Sequence, residues 1–167
     1  TGIERAFTAF QAAVAPVSGK VHFALKATSA LGVIALLARC GAGADIVSAG
    51  ELARALAAGI AAKDVVFSGV GKSAADIRTA LAAGIGQINA ESAEEVAQIS
   101  AIAAAMDVVA PVALRVNVDV DAGTHAKIST GQRSTKFGIS TDQREAASLY
   151  ASIVSDPHAK PMGLAVH

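Results

Sequence analysis

The sequence predicts an α/β fold in which a parallel sheet is covered by helices. Short apolar runs that fit strands alternate with segments whose apolar residues recur at helical spacing. The strand runs are apolar almost throughout, which is typical of parallel strands. The hexapeptide Ala-Leu-Ala-Ala-Gly-Ile occurs at residues 55–60 and again at 80–85, and this offset of 25 residues fits one βα unit. A (β/α)8 barrel and an open doubly wound sheet both agree with these observations.

Six strands and six helices are predicted, in alternation. The strands lie at about residues 21–26, 44–48, 65–68, 86–89, 111–116 and 161–167. The helices lie at about residues 3–14, 31–38, 50–58, 73–83, 92–105 and 142–156. The third and fourth helices stop at Gly59 and Gly84, because glycine readily adopts the left-handed conformation that caps a helix. A long polar loop is predicted at residues 119–136.

Composition limits the classes of function. The 167 residues suffice for one domain with a sizeable core, and 14 basic residues balance 14 acidic ones. This neutral balance gives no electrostatic reason to expect nucleic acid or an anionic membrane as a partner. No apolar run reaches the roughly 18 residues of a membrane span. The single Cys40 allows no internal disulfide and favours a cytoplasmic location.

Both ends of the chain suggest a larger protein. The chain starts on Thr1 with a helical pattern almost at once, and residues 161–167 read as a strand that is cut at its end. Nothing near Thr1 resembles a signal peptide. We therefore expect the fold to be a barrel truncated at both ends.

Lys26 is the first candidate for chemistry, because it ends an apolar strand. A lysine ammonium in an apolar setting is costly and tends to lose its proton, and the neutral amine can form a Schiff base with a carbonyl. The alternative is that Lys26 extends from the strand end to water. Further polar residues lie in or near strands, where a barrel places its active site: Asp45, Ser68, Asn89, Arg115 and His167.

Other motifs do not carry a function. Residues 69–73, Gly-Val-Gly-Lys-Ser, resemble the end of a phosphate-binding loop, but position 66 is Val where that motif needs Gly. We interpret the segment as a strand-to-helix turn with Ser73 as the helix N-cap. The four histidines have no partners at metal-ligand spacing, so chemistry based on an organic cofactor is the better expectation.

Several segments taken together carry a family resemblance. In order and spacing they resemble the barrel domain of pyridoxal-phosphate-dependent decarboxylases of the alanine-racemase-like fold, over nearly the whole chain. Residues 121–125 and 128–131, Asp-Ala-Gly-Thr-His and Ile-Ser-Thr-Gly, are most similar to the branch that acts on diaminopimelate. The segments are residues 23–27, 43–52, 66–72, 88–92, 114–125, 128–131, 136–139 and 163–167. Two motifs differ from the family pattern. The usual Lys-Ala-Asn is Lys-Ala-Thr here, at residues 26–28, and the usual Asn-Pro-Asp is Asn-Val-Asp, at residues 117–119.

The resemblance implies a role for each matching residue. Lys26 matches the lysine that forms the Schiff base with the cofactor. Asp45 and Glu51 match acidic positions near the cofactor, and the alternatives are a strand-end hydrogen bond for Asp45 and an exposed acid at a helix start for Glu51. Arg115 matches an arginine that points into the site, or forms a buried structural ion pair. His167 matches the histidine that stacks on the pyridine ring. A substrate or subunit contact is implied for His125, Ser129 and Thr130.

The implied function is decarboxylation of an amino acid, that of meso-diaminopimelate to L-lysine and carbon dioxide, with pyridoxal 5′-phosphate as cofactor. The resemblance also implies a homodimer, and it places the phosphate-binding glycines and a C-terminal β-domain after His167. We therefore expect the 167 residues alone to be nearly inactive.

Three alternatives stay open. An ornithine- or arginine-type decarboxylase shares the fold. A non-catalytic pyridoxal-phosphate-binding protein also places its lysine on the first strand. A Schiff-base aldolase barrel usually has its lysine on a later strand, which argues against it.

Overall fold

The computed structural model describes residues 1–118, 138–140 and 143–167. The helices are α1 (Gly2–Val14), α2 (Leu31–Arg39), α3 (Ala49–Ala57), α4 (Ala74–Ala83), α5 (Ala93–Ala105) and α6 (Gln143–Ser155). The strands are β1 (His22–Ala24), β2 (Gly43–Ile46), β3 (Val65–Phe67), β4 (Gln87–Ala90), β5 (Ala110–Asn117), β6 (Ile139–Ser140) and β7 (Ala159–Ala165). Short 3₁₀ turns lie at Ala15–Val17, Leu25–Ala27 and Ala62–Asp64.

The predicted alternation of strands and helices is confirmed, and β6 is added to the six predicted strands. Within the described ranges, no helix combines the length and apolar character needed to cross a membrane. The predicted loop at residues 119–136 lies outside the described residues.

The strand order selects the barrel class over the doubly wound one. Every strand pairing is parallel, and β1 to β5 lie side by side in sequence order. The far edge of β5 pairs with β7 over Ala110–Arg115 and with β6 at Val116 and Asn117. A doubly wound sheet reverses its strand order at a switch point, whereas a barrel adds each strand next to the preceding one. The fold is therefore a partial (β/α)8 barrel, as the sequence predicted.

The two faces of the sheet differ in chemistry because side chains alternate along each strand. Residues that face the helices are fully buried and apolar, among them Ile46, Phe67, Ile88 and Leu114. They pack in one core with buried side chains of the helices, such as Leu52, Ile77, Ile99 and Ile153. Burying each such side chain contributes about 1.5–3 kcal/mol. The opposite face carries half-buried polar residues, and this leaves it available for a site.

The repeated hexapeptide ends two successive helices. Gly59 and Gly84 follow α3 and α4 with φ of 94° and 70°, so both have the left-handed conformation that was predicted for them. Each is followed by a buried isoleucine, Ile60 or Ile85, that joins the core. The repeat therefore marks equivalent positions in two consecutive βα units.

Helices α3, α4 and α5 begin in the same way. Ser48, Ser73 and Ser92 are their N-caps, and each hydroxyl accepts the backbone N–H of the acidic residue three positions later. Such a cap stabilises a helix by about 1 kcal/mol. The N-cap role predicted for Ser73 is confirmed.

Candidate functional site

The carboxyl ends of the parallel strands meet at one edge of the sheet, and polar residues collect there. Lys26 lies just after β1, Ser68 follows β3 and Glu91 follows β4. Arg115 lies near the end of β5, and His167 lies two residues after β7. Because all pairings are parallel, these positions share the edge at which barrel domains place their chemistry.

Lys26 lies in a different setting from the one predicted. Strand β1 ends at Ala24, and the chain then forms the 3₁₀ turn Leu25–Ala27. Leu25 is buried in the core, whereas Lys26 is exposed. The prediction of a strand that runs to residue 26 and buries its lysine is therefore wrong. Among the described residues, nothing forms a hydrogen bond or ion pair with the Lys26 amine, so the amine is accessible to a carbonyl compound.

Asp45 receives a chain of hydrogen bonds that crosses three strands. The Ser68 hydroxyl donates to Asp45 Oδ1 at 2.5 Å, and Asn89 Nδ2 donates to Ser68 Oγ at 3.0 Å. Gln87 Nε2 donates to Asn89 Oδ1 at 2.7 Å. Every donor in the chain points toward the carboxylate, so the chain of hydrogen bonds orients the Asp45 side chain. The expected gathering of Asp45, Ser68 and Asn89 is therefore present, and Gln87 is an addition that sequence reasoning missed.

Arg115 forms an ion pair with Glu91. Arg115 Nη1 lies 2.8 Å and 3.1 Å from the two carboxylate oxygens of Glu91. The two side chains are 14% and 7% exposed, so water screens the pair weakly. Sequence reasoning allowed such a pair but did not identify the acid. The available signal was an acid one residue after β4, opposite an arginine near the end of the adjacent strand β5.

Lys72 is a buried lysine that sequence reasoning did not assign to the site. Its side chain is 1% exposed, and Nζ donates to the carbonyl oxygens of Gly69 at 2.6 Å and Asn89 at 2.7 Å. Both carboxylate oxygens of Glu95 lie 3.2 Å from Nζ. Burial lowers the pKa of Lys72 below its usual value, and the negative charge of Glu95 opposes this shift. The interpretation of residues 69–73 as a turn was correct but incomplete.

Two further predicted residues lie at the start of α3 and after the end of β7. Glu51 Oε2 accepts the backbone N–H of Val47 at 2.7 Å, so this carboxylate acts at the start of α3. His167 is exposed beyond the end of β7. The candidate contacts His125, Ser129 and Thr130 lie outside the described residues.

These residues fit a pyridoxal cofactor in their donor chemistry. The cofactor's aldehyde binds a primary amine, and its ring and phosphate need hydrogen-bonding and charged groups. Lys26 offers an amine without a partner among the described residues. Asp45 and Arg115 offer one negative and one positive group, each oriented by neighbouring side chains.

Fold and site together define a class of α/β-barrel domains. In this class a lysine amine is accessible to a carbonyl ligand, and charged side chains near it are held in place by their neighbours. The chain belongs to the pyridoxal-dependent decarboxylases, since the family model described as their pyridoxal binding domain matches residues 1–167. Pyridoxal is therefore the cofactor of this domain family.

Known relatives narrow the resemblance. The chain is 50% identical over 165 residues to diaminopimelate decarboxylase of Pseudomonas aeruginosa, covering 99% of this chain and 39% of that protein. It is 48% identical over 147 residues to diaminopimelate decarboxylase of Zymomonas mobilis, covering 88% of this chain and 34% of that protein. The structure of the Helicobacter pylori diaminopimelate decarboxylase in complex with L-lysine superposes with a TM-score of 0.86 at 40% identity, covering 89% of this chain and 37% of that one. The chain thus spans about two fifths of its relatives' length.

Proposed function

We propose that the protein containing this chain decarboxylates meso-diaminopimelate to L-lysine and carbon dioxide, with pyridoxal 5′-phosphate as cofactor. The single observation that carries the proposal is the exposed Lys26 amine, which has no partner among the described residues and lies at the carboxyl edge of the sheet. The substrate is proposed from the relatives, which are named diaminopimelate decarboxylase at 50% and 48% identity. The L-lysine bound in the Helicobacter pylori structure supports the same product.

Lys26 is the residue that would hold the cofactor, through a Schiff base. When bound, pyridoxal phosphate delocalises the electron pair that remains after carbon dioxide leaves. The chain's own contribution is to orient the reacting groups and to supply fixed charges.

Asp45 and Arg115 are proposed to contact the cofactor or the substrate. Asp45 is suited to this role because Ser68 and Asn89 fix its carboxylate on the polar face of the sheet. Arg115 is suited because the Glu91 carboxylate holds its guanidinium near the carboxyl end of β5.

His167 and Glu51 complete the proposed set. The proposal for His167 is supported by its position two residues after β7, at the edge that also carries Lys26. Glu51 rests on the family resemblance alone, because its carboxylate binds the Val47 amide at the start of α3.

The remaining proposals concern the whole protein. Since the chain spans about two fifths of its relatives, we propose that the 167 residues form part of the cofactor-binding barrel of a longer enzyme. We further propose a C-terminal β-domain, a homodimer with an active site shared between subunits, and a cytoplasmic location.

The test is carbon dioxide release by the full-length protein with pyridoxal phosphate, comparing meso-diaminopimelate with L-ornithine and L-arginine. Release from diaminopimelate alone, abolished by Lys26→Ala, is the expected result. If release occurs only from ornithine or arginine, the substrate assignment is wrong while fold and cofactor stand. If the protein binds the cofactor and releases nothing from any of the three, it is a non-catalytic binding protein.

A further inference from the structure

Lys72 lies between the hydrogen-bond chain of Asp45 and the ion pair of Arg115 with Glu91, and the proposed function gives it no role. Its side chain is 1% exposed, and its three N–H groups face Gly69 O, Asn89 O and the Glu95 carboxylate. An ammonium has three donors, so all of them have acceptors and none is left for a ligand. Any influence of Lys72 on the site must therefore pass through its neighbours.

Two contacts of the Lys72 ammonium, with the carbonyls of Gly69 and Asn89, connect it to the hydrogen bonds that orient Asp45. Gly69 directly follows Ser68, and the Asn89 carbonyl belongs to the residue whose side chain donates to Ser68. By binding both carbonyls, the ammonium fixes the distance between the end of β3 and the end of β4. The 3.0 Å hydrogen bond from Asn89 to Ser68 crosses this interval and supports the hydroxyl that donates to Asp45.

The third contact of the Lys72 ammonium, with the Glu95 carboxylate, connects it to the ion pair that orients Arg115. Glu95 Oε2, 3.2 Å from the ammonium, also accepts the backbone N–H of Glu91 at 2.8 Å. The carboxylate of Glu91 in turn binds Arg115. Two positive and two negative charges thus balance within a weakly hydrated cluster. Without the ammonium, Glu95, which is 11% exposed, would keep a negative charge beside Glu91 with no counterion.

We propose that Lys72 is a positioning residue for cofactor binding, which sets Asp45 through the ends of β3 and β4 and sets Arg115 through Glu95 and Glu91. The inference rests on the proposed function, since the affected ligand is pyridoxal phosphate. It assigns a role to a lysine that touches neither cofactor nor substrate.

The experiment compares Lys72→Met with Lys20→Met in the full-length protein. Lys20 is a matched control because it also pairs with a carboxylate, that of Asp64 at 2.5 Å, but on the surface and at the amino edge of the sheet. The apo-proteins are titrated with pyridoxal phosphate, binding is followed by cofactor absorbance, and thermal unfolding is recorded in parallel. Mutating the outer partners of bound metals typically weakens affinity 10- to 100-fold, so we expect Lys72→Met to raise the dissociation constant about tenfold. Lys20→Met should leave it within about twofold, in keeping with the small energy of a surface pair.

A coupling measurement separates positioning from general damage to the fold. If Lys72 acts through Asp45, the effect of Lys72→Met on the dissociation constant shrinks when Asp45→Asn is already present. Full additivity of the two effects, or an unchanged dissociation constant in Lys72→Met despite a lower melting temperature, overturns the inference.

A second variant covers the case in which Lys72→Met does not fold. Glu95→Gln keeps the side chain's size and an oxygen acceptor but removes the charge that Lys72 balances. We expect it to raise the dissociation constant severalfold, and an unchanged value overturns the inference. Failure of the unsubstituted protein to bind pyridoxal phosphate would instead refute the proposed function, and this inference with it.

Discussion

Two strand-to-helix connections at the same edge of the sheet each present a lysine, and they use it in opposite ways. After β1, Lys26 is exposed and has no hydrogen-bond partner among the described residues. After β3, Lys72 is buried, its pKa is lowered by burial, and its ammonium binds two carbonyls and a carboxylate. A lowered pKa alone therefore does not identify a nucleophile, because an amine must also be reachable.

The two connections also differ in how the following helix begins. Ser73 and Asp76 form a reciprocal capping box at the start of α4, directly after Lys72. Helix α2, which follows Lys26, begins after Ala30 without any side-chain cap. The connection with the buried lysine thus ends in a capping box. The connection after Lys26 has only two side-chain hydrogen bonds among the described residues, from the Ala30 backbone N–H to the Thr28 hydroxyl and from Arg54 to the Ser29 carbonyl, both long at 3.3 Å.

The largest expected effect concerns which lysine binds the cofactor. Reduction of the full-length holoenzyme with borohydride, followed by peptide mass spectrometry, should place the reduced cofactor on Lys26 alone. The reason is access, since the Lys72 side chain is 1% exposed. Lys26→Ala should remove the label. A labelled Lys72 peptide would mean that Lys72, and not Lys26, binds the cofactor.

The next largest effect concerns stability. Lys72→Met should lower the free energy of unfolding by about 3–5 kcal/mol, because it leaves Glu95 as an uncompensated, largely buried charge. Lys26→Met, the same substitution at an exposed position, should change it by less than about 0.5 kcal/mol. Urea unfolding of the two apo-variants measures both values, and similar losses would mean that the two connections do not differ as described.

A smaller effect tests the capping box after Lys72. The pKa of Asp76 is lowered, chiefly by the hydrogen bond from the Ser73 hydroxyl and next by the Ala49 backbone N–H. A lowered carboxyl pKa stabilises the fold above the unfolded value of about 3.9, and this stability is lost as the pH falls through the folded value. Asp76→Asn should therefore cost less than about 1 kcal/mol at pH 7, because water screens the charge of this largely exposed carboxylate. The difference from the unsubstituted protein should narrow below about pH 4, and a constant difference down to pH 2 would argue against the ionised cap.

The smallest effect tests the uncapped helix after Lys26. Ala30→Ser supplies a hydroxyl at the N-cap of α2, and we expect it to raise the free energy of unfolding by about 0.5 kcal/mol. Ala35→Ser, inside the same helix, is the matched control and should give no gain. Thermal unfolding of the two variants measures the change in stability. Equal changes at both positions would show that a hydroxyl at the N-cap does not stabilise α2.

Sequence reasoning predicted the fold well because its signals are local. Apolar periodicity marked each long element, and Gly59 and Gly84 marked two helix ends by a conformation that glycine adopts readily. Strand β6 was missed because its two residues are too few to show a period.

The site was predicted less completely because its contacts are distant in sequence. Whether Leu25 or Lys26 is buried in the core depends on the residue at which β1 ends. A run of apolar residues in the sequence does not specify that residue. Lys72 meets acceptors 17 and 23 residues further along the chain, so its burial has no signature in residues 69–73. The family resemblance supplied Asp45 and Arg115 but not the side chains that orient them, because those pairings depend on the register between strands.

The sequential order of the strands also has a consequence for how the chain folds during synthesis. The first three pairings join His22 with Gly43, Ala44 with Val65 and Val66 with Gln87, each 21 residues apart. Translation adds about 5–20 residues per second, so each new strand can pair with the previous one within about 1–4 seconds of its synthesis. The pairing of Ala110 with Ala159 spans 49 residues and must wait for more than twice as much chain. Nascent barrels should therefore pass through a stage in which the half that carries Lys26 and Lys72 is already ordered while the far edge of β5 is still open.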